Sequence, residues 1–232
     1  MNEPSFIYIY MPATARTSAS PPARLPRPQG RGDKRDRILA AATRVFARHG
    51  FYAAQVADVA RQAGVASGTV YLYFRSKDDL LISIFERTMA SAIDEGRRAL
   101  SGQADPEACL RRIARLHLAR LGADRDLAVV FQVELRQTTK FMARFSATGL
   151  REYLGLIRDV ITEGQRAGRF RPAASPTLVA KMFFGALDEM ATNWVLSARK
   201  YDLASHADAV VDVFVGGLAV GPPPLRRRGA RR

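Results

Sequence analysis

The chain has 232 residues, of which 47% are hydrophobic and 25% are charged, and its 36 Lys and Arg against 22 Asp and Glu give a formal net charge of +14. This length and composition can bury a sizeable core in one or two domains, which excludes wholesale disorder. No apolar run approaches the roughly 20 residues of a membrane-spanning helix, so no membrane association is expected. The single cysteine, Cys109, excludes an internal disulfide framework and a cysteine-based zinc site within one chain.

The excess positive charge favours an anionic partner, namely nucleic acid, an acidic membrane surface or a phosphorylated ligand, although solubility alone is the simpler explanation. More than half of it lies near the ends, since residues 1–34 carry +3 and residues 225–232 carry +5. Residues 1–33 and 221–232 are rich in Pro, Gly, Ala and Arg, and this composition predicts disordered basic tails. The apolar run at residues 6–11 is too short for a signal peptide and lacks a basic segment before it, so a cytoplasmic location is expected.

Between the tails the sequence predicts one helix after another, without sustained alternation of period two. Apolar stripes of helical spacing, capping residues and Gly or Pro stops set the boundaries. The nine predicted helices span residues 34–48, 55–63, 68–74, 77–100, 106–121, 125–137, 140–167, 176–199 and 204–218. This pattern predicts an all-α protein with a small N-terminal domain, residues 34–80, and a larger helical domain, residues 81–220.

The sharpest functional signal lies in residues 55–74. A short helix ends at Gly64 and a second begins at Ser67, a good N-cap, which is the helix-turn-helix arrangement. In such a unit the N-terminal end of the second helix enters the major groove of DNA. We therefore expect this segment to bind double-stranded DNA.

Seven residues in and around this unit are candidates for DNA contact: Gln55, Ser67, Gly68, Thr69, Tyr71, Tyr73 and Lys77. Gly68 permits close backbone approach, Thr69 offers a hydroxyl and a methyl group to base edges, and each tyrosine can offer a hydroxyl to a phosphate. Lys77, in the first turn of the next helix, is placed to hold a phosphate. The alternative is that Val70, Leu72, Tyr73 and Phe74 belong to the core and the other residues form an ordinary surface. We expect a core position for Val70 and Phe74.

Several motifs lie in residues 34–80: Ile38-Leu39-Ala40-Ala41-Ala42, Phe46, Gly50-Phe51, Val59-Ala60, Ala63-Gly64-Val65, Gly68-Thr69-Val70-Tyr71-Leu72-Tyr73-Phe74 and Lys77-Asp78-Asp79-Leu80. Together they resemble the DNA-binding domain of the tetracycline-repressor-like (TetR) family. The resemblance implies an all-helical homodimer with a variable C-terminal ligand domain, in which ligand binding moves the fourth helix and changes the separation of the two DNA-binding heads. The long basic tails depart from the minimal family pattern.

Further motifs in residues 110–218 are Leu127-Ala128-Val129-Val130-Phe131-Gln132-Val133-Glu134-Leu135-Arg136, Lys140-Phe141-Met142, Tyr153, Phe184-Gly185-Ala186-Leu187-Asp188-Glu189-Met190 and Trp194-Val195-Leu196-Ser197. They resemble the fatty-acid-degradation repressor (FadR-like) branch of the same family. This resemblance implies a repressor of β-oxidation genes that releases DNA on binding long-chain acyl-coenzyme A (acyl-CoA). The alternative within the class is a regulator of efflux or stress genes that senses another lipophilic molecule.

A tunnel for an acyl chain would need the large apolar residues that recur on the predicted fifth to eighth helices, although most of them could simply be core. The candidate ligand-binding residues are Arg120, Phe131, Leu135, Phe141, Phe145, Tyr153, Phe183, Leu187, Met190 and Trp194. Arg111, Arg112 and Arg115 either join Arg120 around the coenzyme A phosphates or form a solvated helix face. Polar residues in these helices predict mutual hydrogen bonds or contacts that orient a ligand: Gln132, Glu134, Arg136, Asp188, Glu189 and Asn193.

The last two helices are apolar enough to need a partner. Residues 204–218 carry an apolar stripe of Val210, Val211, Phe214 and Leu218. With part of residues 176–199, this stripe predicts an intersubunit four-helix bundle, and a two-fold dimer predicts a pseudo-palindromic operator.

Two other classes compete with a regulator. An enzyme is disfavoured because no GxSxG, P-loop or HExxH motif occurs, and His49, His117 and His206 have no metal-binding spacing with each other or with Cys109. No cofactor or metal is therefore expected. The second competitor is an architectural protein that binds DNA through its basic tails alone. The predicted head, residues 35–80, carries only +3, so DNA binding is argued from its motif and not from total charge.

Overall fold

The computed structural model describes residues 31–137, 149–172, 175–199 and 201–218. Its helices are α1 (Arg31–His49), α2 (Val56–Ala63), α3 (Ser67–Tyr71), α4 (Lys77–Leu100), α5 (Pro106–Ala123), α6 (Arg125–Val129), α7 (Gly149–Arg166), α8 (Pro176–Leu196) and α9 (Ala207–Leu218). A π-helical turn (Val130–Glu134) and a 3-10 turn (Leu135–Gln137) extend α6, and another 3-10 turn (Leu203–His206) precedes α9. The predicted all-α fold is confirmed. None of the helices in these four ranges has the length and apolar character needed to cross a membrane.

Several boundaries differ from prediction. Helix α1 begins at Arg31 and not at residue 34, while α3 ends at Tyr71 and α8 at Leu196. The predicted start of the seventh helix at residue 140 lies outside the described residues, as do residues 1–30 and 221–232 of the predicted tails.

The expected N-cap of α3 is also wrong. Ala66 occupies that position in an extended conformation without a side-chain cap, and Ser67 is the first helical residue. The turn from α2 is therefore one residue shorter than the residue types suggested. Gly64 ends α2 with φ +66°, in the left-handed region that glycine adopts most easily.

Capping residues define two other helices as predicted. The Ser76 hydroxyl accepts a hydrogen bond from the Asp79 backbone N–H at 3.1 Å at the start of α4. Asp105 accepts from Ala108 N at 3.1 Å at the start of α5, where Pro106 takes the first helical position. Each cap satisfies a backbone donor that has no partner within its helix.

Two buried clusters divide the molecule. The first cluster, here the head core, combines α1, α2, α3 and the start of α4, and its largest fully buried side chains include Phe46 and Phe74. The second, the C-terminal core, combines the rest of α4 with α5, α7, α8 and α9. Along α4, Phe85 belongs to the head core and Met89 to the C-terminal core. Phe131, in the π turn, packs against both.

Candidate functional site

The N-terminal half of α3 forms an exposed polar surface. Ser67, Gly68 and Tyr71 are exposed, and Thr69 is half-buried. Gln55 is exposed at the N-cap of α2, and Tyr73, just beyond α3, is half-buried. The candidate DNA contacts are thus grouped on and around one short helix.

The opposite face of α3 fixes it to the head core. Val70 and Phe74 are 1% and 2% exposed, which confirms their predicted core positions. Leu72 is 79% exposed, so the alternative that placed it in the core is wrong. Val70 and the following Phe74 therefore anchor α3 in the head core, while Ser67, Gly68 and Tyr71 remain exposed to solvent.

Lys77 has a structural role that the sequence did not reveal. Its Nζ donates to the backbone oxygens of Tyr52 at 2.9 Å and Ala54 at 3.0 Å, and lies 4.7 Å from the centre of the Phe51 ring. An ammonium has three N–H donors, so at most one is left for a phosphate. Lys77 therefore holds the α1–α2 connection against the start of α4. These contacts span more than 20 positions, and no local pattern could indicate them.

The C-terminal domain contains an apolar cavity of about 210 Å³ between α4, α5, the π turn, α7 and α8. Four of the predicted ligand residues line it: Arg120, Phe131, Leu135 and Tyr153. Other described lining residues include Met89, Ile113, Leu116, His117, Leu150, Leu156, Phe184 and Asp188. Phe141 and Phe145 lie outside the described residues.

The remaining four predicted ligand residues are not in the cavity lining. Phe183 and Leu187 are fully buried in the C-terminal core, and the Phe183 ring packs on that of Phe214 at 4.9 Å. Met190 also packs against this core. Trp194 stacks under the Arg125 guanidinium at 4.9 Å and donates its Nε1–H to the Tyr201 carbonyl.

The error came from choosing the most apolar stripe of α8, which is its core stripe. One residue further along, Phe184 and Asp188 face the cavity. A step of one residue rotates the direction by about 100° around a helix. The sequence feature that could have indicated the cavity is the pair of Phe184 and Asp188, an aromatic residue and a carboxylate on one helix face. A ligand site combines apolar surface with a few polar groups of this kind.

His117 and Tyr153 form a polar pair on the cavity wall. The His117 Nδ1 lies 3.2 Å from the Tyr153 hydroxyl oxygen, and the Phe184 ring packs against both side chains. The His117 Nε2 is buried, and none of the described residues forms a hydrogen bond with it. Burial lowers the pKa of His117 to about 4 and raises the pKa of Tyr153. His117 thus lines the cavity as a neutral imidazole at physiological pH. The sequence indicated His117 only as a histidine without metal-binding spacing.

The predicted polar cluster consists mainly of paired groups. Asp188 accepts from Gln132 Nε2 at 2.9 Å and is ion-paired with Arg136. Asn193 donates to Glu189 on the exposed side of α8 at 2.6 Å. The expected mutual hydrogen bonds are confirmed for these five residues.

Three of the four arginines of α5 are paired with carboxylates. Arg120 pairs with Glu95 at the cavity wall. Arg115 binds Asp208 of α9 through two hydrogen bonds, of 3.0 and 2.7 Å. Arg111 binds Asp212 of α9, and neither it, Arg112 nor Arg115 lines the cavity. Arg111 and Arg115 thereby fasten α5 to α9.

The π turn and the start of the 3-10 turn after it link the cavity to the head. Phe131 and Leu135 line the cavity, while Leu135 and Val130 are also buried in the head core. Glu134, 5% exposed, accepts a hydrogen bond from the Phe51 backbone N–H at 2.6 Å. Gly50, with φ +75°, makes the turn that directs this N–H toward the carboxylate. One short segment therefore contacts both functional regions.

Comparison with known protein families agrees with this architecture. Residues 38–84 match the bacterial regulatory proteins of the tetR family, and residues 85–217 match the C-terminal region of YsiA-like proteins. The chain belongs to the TetR family of bacterial transcriptional regulators, with a YsiA-like C-terminal region. The resemblance seen in the sequence is confirmed, and the chain is a regulator and not an enzyme.

Individual relatives narrow the class to regulators of fatty acid metabolism. The chain is 35% identical over 181 residues to the fatty acid metabolism regulator protein of Bacillus subtilis, covering 78% of this chain and 93% of the relative. It superposes with a TM-score of 0.75 on the fatty acid degradation regulator FadR from Bacillus halodurans, at 40% identity over 79% of this chain and 98% of that one. FadR from Bacillus subtilis, solved in complex with stearoyl-CoA, gives the same TM-score at 35% identity, over 78% and 98%.

The depressed pKa of His117 predicts a specific acid sensitivity. The unfolded chain binds this proton near pH 6.5 and the folded chain only near pH 4. The contribution of His117 to the free energy of unfolding is therefore constant above pH 6.5 and falls as the pH drops from 6.5 to 4. The loss attributable to His117 reaches about 3 kcal/mol at pH 4. Denaturant unfolding between pH 7.5 and 4 should show a shallower loss for His117→Phe than for the parent. His206→Gln is the control and should keep the parental profile; parallel profiles for parent and His117→Phe would contradict this account.

Proposed function

We propose that this protein is a DNA-binding repressor of fatty-acid degradation genes that leaves its operator when a long-chain acyl-CoA fills the cavity. The proposal rests on the apolar cavity, which is lined in part by the neutral imidazole of His117. Part of the cavity wall is a segment that is hydrogen-bonded to the DNA-binding head through Glu134. Support comes from the stearoyl-CoA complex of a 35% identical relative. The His117 Nε2–H would donate to the ligand's thioester carbonyl when Nδ1 accepts from Tyr153.

Ligand entry would act on the head through two elements. Phe131 and Leu135 must move apart from Met89 to enlarge a cavity of about 210 Å³, which is smaller than most ligand sites. Displacement of the π turn then pulls on Phe51 through Glu134, and displacement of α4 moves the segment that Lys77 holds against the head. By linkage, the ligand weakens DNA binding by the same factor that DNA weakens ligand binding.

In the head, we assign base contacts to Thr69 and phosphate contacts to Ser67 and Tyr71. Gln55 and Tyr73 stand beside them as further phosphate contacts, and Gly68 leaves room for the DNA backbone. Lys77 contributes mainly by positioning, with one N–H left for a phosphate.

Removing single groups from α3 should weaken operator binding without unfolding the head. Thr69→Ala and Tyr71→Phe should each lower affinity about tenfold or more, since a lost base or phosphate contact costs about 1–3 kcal/mol. The measurement is a titration of DNA recovered by selection from random duplexes. Thr162→Ala, a matched change on α7, is the control.

The architectural alternative makes the opposite prediction. Deleting residues 1–30 and 222–232 should then abolish specific binding while Thr69→Ala is harmless. Under the present proposal the deletion lowers mainly non-specific, salt-dependent affinity.

Acyl-CoA should release the protein from its operator. Titrating the complex with acyl-CoA of increasing chain length should produce release by long chains and none by acetyl-CoA, because each added buried CH₂ contributes about 0.8 kcal/mol. His117→Leu should need about tenfold more ligand, since it cannot donate to a carbonyl. Release by a different lipophilic compound but by no acyl-CoA would instead favour the efflux or stress regulator.

The protein would act as a dimer through α8 and α9. These helices expose Leu178 (55%), Met182 (59%) and Val213 (81%), beside the exposed Gly185 and Gly216. Small and apolar residues of this kind permit close helix packing across a two-fold axis. Within the predicted apolar stripe, Val211 is fully buried in its own protomer, and Val210, Phe214 and Leu218 pack against the C-terminal core. Val213 therefore replaces them at the centre of the proposed interface.

A charge placed in this surface should dissociate the dimer. Met182→Glu and Val213→Glu would each bury an unpaired carboxylate on association, and should shift sedimentation toward the monomer. Leu72→Glu adds the same charge at an exposed apolar position just beyond α3 and should leave the assembly unchanged. Dimers that persist in both interface variants would rule this surface out.

A further inference from the structure

An exposed leucine extends the surface formed by α3. Leu72 directly follows the helix with φ −71° and ψ −21°, so its backbone continues the helical turn, and its N–H donates to the Thr69 carbonyl at 3.2 Å. Of the head residues that the structure describes, those with large, mostly exposed apolar side chains are Tyr52, Tyr71 and Leu72. Each tyrosine has a hydroxyl that can bond to water, whereas the side chain of Leu72 has no polar atom.

The neighbours of Leu72 hold it at the surface. The Tyr73 and Phe74 N–H groups both donate to the Val70 carbonyl at 3.0 Å, and the side chains of Val70 and Phe74 are buried in the head core. The Arg35 guanidinium lies over the Phe74 ring, 5.2 Å from its centre. Leu72 cannot turn inward without displacing these two anchors, so its side chain is fixed on the outside of the head.

The surface next to Leu72 is open and carries no charge. Gly68 lies four residues earlier and is therefore a neighbour on the same helix face. Beyond its chain neighbours and its own helix backbone, no described atom lies within 4 Å of the position that a Cβ would take there. Thr69, three residues earlier, adds a methyl group and a hydroxyl. Two basic residues, Arg75 and Lys77, follow shortly after Leu72, so positive charge borders this apolar surface.

The chemistry of the DNA grooves limits what this leucine can contact favourably. Base edges in the major groove carry hydrogen-bond donors and acceptors, and their apolar group is the C5 methyl of thymine. Against a polar base edge or a phosphate, a leucine would displace water without replacing the lost hydrogen bonds. Against a thymine methyl group, apolar area is buried on both sides of the contact.

We infer that Leu72 recognises a thymine of the operator through its C5 methyl group, beside the base contact assigned to Thr69. The inference rests on the proposed docking of α3 in the major groove, and the place of Leu72 within the helix-turn-helix unit favours DNA over a protein partner. Leu72 is thus a specificity-determining residue. It makes the protein prefer thymine at one position over cytosine and uracil, both of which lack the methyl group.

The test removes that methyl group alone. Each thymine of the operator recovered by selection is replaced in turn by deoxyuridine, which keeps the base pairing, and binding of the full-length protein is titrated. At one thymine position the parent should lose about fourfold in affinity for each methyl group removed, as expected for one buried carbon. Leu72→Ala should bind the thymine-containing operator about fourfold more weakly, and should bind thymine and uracil at that position equally well.

Leu196→Ala is the matched control. It removes the same atoms from another exposed leucine, at the C-terminal end of α8, and should keep both the affinity and the methyl dependence of the parent. Because the side chain of Leu72 makes no contribution to the head core, Leu72→Ala should also keep the parental unfolding midpoint.

Three outcomes would overturn the inference. A parent that is indifferent to deoxyuridine at every position recognises no methyl group. A Leu72→Ala variant that keeps the parental loss at the same position assigns the methyl group to another residue, and one with unchanged operator affinity leaves Leu72 to a protein partner. In each case weaker binding by Thr69→Ala and Tyr71→Phe would leave the proposed DNA-binding surface standing. If none of the α3 substitutions changes binding, that surface and this inference fail together.

Discussion

The hydrogen bond from the Phe51 N–H to Glu134 is the contact on which the arrangement of the two domains depends. It is short, at 2.6 Å, almost fully buried, and made to a charged acceptor, which is the strong class of hydrogen bond. A carboxylate in such a place is stable only while its partners stay in position, because an unpaired buried charge is costly. The head cannot shift relative to the π turn without losing this bond or carrying the turn along.

The π turn itself explains why one segment can serve two regions. An α-helix would continue the spacing of α6, whereas the π turn changes the direction of successive side chains. Phe131 thereby reaches the cavity and packs against the Phe85 ring at 4.5 Å, while Val130 and Leu135 enter the head core. One short segment thus forms part of both the cavity wall and the head core.

The elements that sequence could predict are those governed by local rules. Caps at Ser76 and Asp105, the stop at Gly64 and the buried Val70 follow from short-range patterns, and the helix-turn-helix follows from them together. Four of the candidate ligand residues line the cavity, because bulky side chains on inner helices often meet one.

The failures concern contacts between distant positions. The bonds of Lys77 to the α1–α2 connection, and of Glu134 to Phe51, join residues that are 23 to 83 positions apart. The core and cavity stripes of α8 differ by one residue, so apolar character alone could not separate Phe183 from Phe184. An interpretation of the sequence that included the polar positions on these helices would have indicated Asp188 and His117.

Because Val130 and Leu135 complete the head core from far along the chain, the head is not a self-contained module. Cutting the chain within α4 would leave a head with a gap where these two side chains belong, and a C-terminal part with two apolar residues exposed. A hybrid regulator that combines this ligand domain with the head of a relative would have to match that surface, including the bend at Gly50 that receives Glu134. The structural unit that would have to be exchanged intact is therefore larger than the DNA-binding motif, and residues 127–135 belong to it.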